Sequence, residues 1–135
     1  MNDLVLIQLQ EMGCVVEPCG SRVTCNPPPT DTDRDYLVEV KRYADFEQAV
    51  EIIMENGFHP EGSDHYRNSD FDFQSWRFGE INLIVTYKDW FATRHRAATT
   101  VCKSLKLMDK ADRIALFQKI LYGVSPDSKD KDIPY

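Results

Sequence analysis

Apolar side chains recur along this chain with two different periods, and the change from one to the other marks its elements. Between residues 45 and 56, Phe46, Ala49, Val50, Ile53 and Met54 keep the i, i+3, i+4, i+7, i+8 spacing of a helix with one buried face. Asp45 stands at its N-cap, Gln48 at the capping-box position and Gly57 at its stop. Residues 4–12 read as a shorter helix between a cap at Asn2 or Asp3 and a stop at Gly13. Asp89 caps a third helix, whose apolar stripe is Phe91, Ala98, Val101, Cys102 and Leu105. A last helix starts near Asp109 and buries Ile114, Phe117, Ile120 and Leu121 before Gly123.

Alternation takes over elsewhere. Residues 35–40 place Tyr36, Val38 and Val40 on one side with Leu37 between them, as in a largely buried strand. Residues 14–19 form a short β-type run in which Pro18 limits ladder pairing. Residues 71–77 and 81–87 are two strands joined by the short Phe78-Gly79-Glu80 link of a hairpin. Residues 22–32 contain Pro27, Pro28 and Pro29 and read as a loop, and residues 59–70 as a second, polar one. The order α-β-β-α-β-β-α-α predicts an α/β (α+β) fold: a small mixed sheet of about four strands with helices packed on it. Residues 1–124 are expected to form one domain and residues 125–135 a flexible tail.

Composition narrows the class. With 135 residues, 42% of them hydrophobic, the chain can fill one core. It has no apolar run of the roughly 20 residues needed to span a bilayer. The start carries Asp3 and no basic region, unlike a signal peptide, so a soluble protein of the cytoplasm, away from membranes, is expected. Cys14, Cys19, Cys25 and Cys102 lack the paired spacing of a zinc site and read as reduced structural thiols. The net charge of -6 argues against indiscriminate binding of nucleic acid. Residues 31–80 hold 13 acids against five bases, and residues 88–119 hold eight bases against three acids. That division suits either an acidic metal edge beside a basic phosphate face or two solvated faces.

The chemistry concentrates in Gly20-Ser21-Arg22 and Thr32-Asp33-Arg34-Asp35-Tyr36-Leu37-Val38. Carboxylates two apart on a strand point to the same side. Entering a buried strand they repel one another unless a cation compensates, and a hard divalent cation prefers such oxygen ligands. A glycine lets backbone approach a phosphate closely, and the adjacent serine offers a hydroxyl. Phosphate on one side and metal ligands on the other is an arrangement suited to nucleotidyl transfer.

Gly-Ser, a spacer, then Asp-x-Asp followed by three apolar residues resembles the signature of the polymerase-β-like nucleotidyltransferase superfamily. The chain is similar in particular to short predicted nucleotidyltransferases of tailed phages. The resemblance covers roughly residues 15–85. It implies a minimal nucleotidyltransferase fold, Asp33 and Asp35 as ligands of Mg²⁺, and Gly20 and Ser21 as the holder of a nucleoside triphosphate; Arg22 beside them reads either as a phosphate-binding group or as an ordinary surface or strand-end arginine. The family's third carboxylate falls where this chain has Asn82, which joins the two aspartates as a catalytic position. Glu80, on the same strand face, is the acid that would complete the metal sphere. Two departures stand out: the prolines prevent a full helix after Gly-Ser, and Asn82 cannot act as a base.

The function so implied is Mg²⁺-dependent transfer of a nucleoside monophosphate from a triphosphate to a hydroxyl of RNA, protein or a small molecule. The alternative is a catalytically degenerate relative that binds a nucleotide or a host protein, as a phage-encoded inhibitor working in the host cytoplasm would. Other residues have readings on both sides. Asp31 is a turn acid or a ligand. Lys88, Arg94, His95 and Arg96 are a phosphate-facing or a solvated helix face. His59, His65 and Asp64 are too loosely spaced for a metal. Trp76 and Trp90 are core cover or stacking platforms.

Overall fold

The computed structural model of the chain describes residues 3–28, 33–61 and 72–123. The elements run α1 (Leu4–Glu11), β1 (Val15–Cys19), α2 (Ser21–Thr24), β2 (Arg34–Glu39), α3 (Phe46–Glu55), β3 (His59–Pro60), β4 (Gln74–Phe78), β5 (Ile81–Thr86), α4 (Asp89–Leu105) and α5 (Lys110–Tyr122). A 3-10 turn, Tyr43–Asp45, leads into α3. The strands form a single sheet in the order β1-β2-β5-β4-β3. Only β2 and β5 are parallel neighbours. This is the mixed α+β plan read from the sequence, with five strands instead of about four. The extra strand is His59–Pro60, which pairs with Arg77 and Trp76. Two residues are too few to show alternation, and the segment therefore reads as loop.

Register sorts the core. Val38, Val40, Leu83, Val85 and Trp76 face Val5 and Leu9 of α1 and Ala49 and Ile53 of α3. Cys19, Leu37 and Ile84 face Phe91, Ala98 and Cys102 of α4 and Phe117 and Leu121 of α5. The sheet thus lies between two helical layers, with the central strand β5 buried along its whole length. β1 is at one edge, where Pro18 leaves no ladder bond broken in the middle of the sheet.

Helix starts differ from the sequence reading in an instructive way. Asp109 caps α5 as expected, its Oδ1 accepting from the Ala111 N–H at 2.8 Å. Its backbone is extended, at φ -80° and ψ 129°. Asp3 and Asp45 are already helical at ψ -11° and -3°, a geometry that turns the side chain away from the free N–H groups. Their carboxylates bind Arg34 and Arg42 instead, at 3.1 Å and at 3.0 and 3.2 Å. The N–H of Asp45 goes to the Arg42 carbonyl, so the capping box with Gln48 does not form. Asp89 is the first residue of α4, and Lys88 occupies the cap. Met54 and Leu105, expected in buried stripes, are 55% and 59% exposed near the ends of their helices. The loop expected over residues 22–32 begins with one helical turn, Ser21–Thr24. The proposed tail, residues 125–135, lies outside the described residues.

Candidate functional site

Asp35 is the centre of the site. Strand pairing sets Cys19 opposite Asp35, Asp35 opposite Asn82, and Asn82 opposite Arg77, so one row crosses four strands. Residues in such a row share a face of the sheet. Asn82 is buried, and its amide is fixed from both ends. Its Oδ1 accepts from Ser75 Oγ at 2.9 Å, and its Nδ2 donates to Asp35 Oδ1 at 3.3 Å. The Gly-Ser turn closes on the same carboxylate. Gly20 sits at φ 76° and ψ -169°, a region that essentially only glycine adopts. A Cβ there would lie 2.1 Å from Asp35 Oδ2 and 3.0 Å from Asp35 Cβ. The glycine therefore makes room for Asp35.

Charges ring this centre. Arg77 Nη2 lies 3.0 Å from Asp33 Oδ2, and its Nε donates to Glu61 at 2.7 Å. Its Nη1 reaches the Gly79 carbonyl at 3.4 Å. Arg22 of α2 pairs at 3.1 Å with Glu80, in the turn between β4 and β5. Gly20 and Asn82 thus meet Asp35 directly, Ser21 is buried in the turn that follows Gly20, and Asp33 stands at the entrance to β2. The Glu80 carboxylate turns toward Arg22. Glu61, Ser75 and Arg77 were not singled out from sequence. The hairpin register places Ser75 and Arg77 on the Asn82 face, so two of them were accessible to a closer reading of alternation. Glu61 follows the two-residue strand and carries no sequence signal.

Burial pushes the Asp35 carboxyl up to about 7. The Asn82 hydrogen bond opposes that rise, the Asp33 charge adds to it and Arg77 again opposes it. A carboxylate that loses more by desolvation than its partners return is one that a cation would stabilise. Asp33 and Asp35 are the two carboxylates that could hold a divalent ion here, leaving its other positions to water and phosphate. The Asn82 oxygen is committed to Ser75. Among the described residues, no three of His, Cys, Asp and Glu converge as a metal-binding group.

The basic segment after β5 is largely used up inside the protein. Lys88 pairs with Asp72 at 3.4 Å. Arg94 donates to the Leu121 carbonyl at 2.9 Å and lies over the Trp90 ring. Arg96 binds Glu17 at 2.7 Å and also the buried Glu39. His95 is fully buried against Phe91 and Phe117. Arg94 remains exposed, as a solvated face requires, while Lys88 and Arg96 are part-buried in ion pairs and His95 belongs to the core. Trp76 is core, and Trp90 packs edge-on against Phe91 and Tyr122. His59 is exposed on β3, whereas Asp31, Asp64 and His65 lie outside the described residues. All four cysteines are buried free thiols. Among the described residues, no helix is long and apolar enough to cross a membrane.

No protein-family model and no curated protein matches the sequence. A solved structure does match: the conserved protein GrpB from Enterococcus faecalis, at TM-score 0.57 and 19% identity, covering 96% of this chain and 79% of that one. At that identity the likeness is one of fold. It places the chain in the same mixed α+β architecture as that protein.

Proposed function

We propose that this chain binds a nucleoside triphosphate with a divalent cation at Asp33 and Asp35 and transfers the nucleoside monophosphate to a hydroxyl acceptor. The observation that carries the reading is the contact between Gly20 and Asp35, which joins the two halves of the Gly-Ser and Asp-x-Asp pattern. The resemblance of the Gly-Ser and Asp-x-Asp segments to the nucleotidyltransferase signature, on a mixed α+β fold like that of GrpB, supports it. Asp33 and Asp35 would hold Mg²⁺, which when bound neutralises phosphate charge and polarises the reacting oxygen. Ser21 would offer its hydroxyl to the phosphates from the turn after Gly20. Asn82 would orient Asp35 and, being fixed as a donor, would not take the acceptor's proton. The test is incorporation of label from α-³²P triphosphates into RNA, protein or small-molecule acceptors with Mg²⁺, beside Asp33→Asn and Asp35→Asn. Transfer by the natural chain and none by either variant is expected; equal transfer by all three rejects the assignment.

One observation favours a second reading. With Asn82 in the row and Arg77 paired to Asp33, the protein's own donors already occupy an oxygen of each acid. A protein that binds a nucleotide or a protein partner without transfer fits that arrangement. It predicts triphosphate binding or partner capture with no labelled product.

A further inference from the structure

Resting on the metal reading above, we infer that Arg77 and a divalent cation compete for Asp33, and that the displaced guanidinium becomes a binding group for the triphosphate. Arg77 holds two carboxylates at once, Asp33 at 3.0 Å and Glu61 at 2.7 Å, through different nitrogens. A cation on Asp33 would stand beside the guanidinium and repel it, while the Glu61 contact is made through Nε and survives. Arg77 is thereby anchored at one edge and released at the other. The freed Nη end is the part of a guanidinium that binds phosphate oxygens in parallel pairs.

The row explains why release is available. Arg77 neighbours Asn82, not an acid, on β5. A carboxylate at position 82 would lie beside the guanidinium and hold it in place. The neutral amide there leaves Asp33 as the charged hold on the Nη end, beside only a long 3.4 Å contact of Nη1 with the Gly79 carbonyl. Exposure is consistent with exchange at the rim, with the Arg77 side chain 31% and Asp33 47% accessible.

The test uses Mn²⁺ alone, read by electron paramagnetic resonance, and then Mn²⁺ with inorganic triphosphate, which needs no assumption about the base. Arg77→Gln should bind Mn²⁺ about two- to fivefold more tightly than the natural chain, as removal of a partly exposed competitor allows. It should bind the Mn²⁺–triphosphate pair about tenfold more weakly. Arg77→Lys should fall between on the second measurement, since it keeps the charge without the fork. A merely structural role moves both affinities in the same direction, and that result, or no change in either, overturns the inference. Mn²⁺ binding that is absent in the natural chain, or unchanged in Asp33→Asn, overturns the metal reading and the exchange with it. Binding as predicted in the natural chain but unaltered in both Arg77 variants removes Arg77 alone.

Discussion

Replacing Gly20 by alanine probes the joint between the two halves of the site. The new Cβ would sit 2.1 Å from Asp35 Oδ2, 2.9 Å from its Cγ and 3.0 Å from its Cβ. Rotating the carboxylate relieves the first two contacts and leaves the third, so the backbone must shift as well. Placing a non-glycine residue at φ 76° and ψ -169° costs about 1–3 kcal/mol. Overpacking against Asp35 adds about 1–3 kcal/mol. Gly20→Ala should therefore lose roughly 2–6 kcal/mol in urea denaturation at pH 8 with chelator, a large share of a typical domain stability. In a double-mutant cycle with Asp35→Gly, which removes the Cβ as well, the packing part disappears and the backbone part remains. The coupling should be about 1–3 kcal/mol, in the direction of rescue. A loss below about 0.5 kcal/mol, or additivity of the two changes, would show that the turn does not close on Asp35.

Two titrating residues make predictions of opposite sign. Asp35 is raised to about 7, so the folded state holds its proton where the unfolded chain has lost it. The natural chain should match Asp35→Asn below about pH 4 and become progressively less stable than it as pH rises to about 7, by up to about 4 kcal/mol without metal. Chelated chemical denaturation across pH 4–8 checks this, and parallel profiles would refute it. His95 is lowered to about 4 by burial first and by the neighbouring Arg96 charge second. Its neutral form is favoured by folding, so its contribution is intact above about pH 6.5 and lost as pH falls toward 4. Neither ring nitrogen has a hydrogen-bond partner, so His95→Leu should raise stability by about 1 kcal/mol at pH 7 and by more at pH 4.5, read by thermal melting. A destabilised variant at both pH values would mean that the imidazole is satisfied.

Long periodic segments were legible in the sequence because burial of one face decides them. The hairpin of β4 and β5 and the stripe of Ala49 and Ile53 are found as read. Local capping was less legible, since it depends on the backbone angle of one residue: Asp109 is extended and caps, whereas Asp3 and Asp45 are helical and do not. At the site, Gly20, Asp35 and Asn82 were identified as a set and do touch. What the chain could not disclose was who answers whom. The role of Asn82 follows from Ser75 across the hairpin, and Arg77 finds Glu61 through a two-residue edge strand with no periodic signature. The charge division between residues 31–80 and 88–119 is in part resolved across the fold, as Arg96 with Glu39 and Lys88 with Asp72.

The most direct measurement is a crystal structure with Mn²⁺ and a non-hydrolysable triphosphate, using the anomalous signal to locate the ion. The account predicts a peak about 2.1 Å from oxygens of both Asp33 and Asp35, with phosphate oxygens completing its shell beside Ser21. Mn²⁺ and triphosphate bound together elsewhere on the protein, with Asp35 still facing only Asn82 and Gly20, would contradict it.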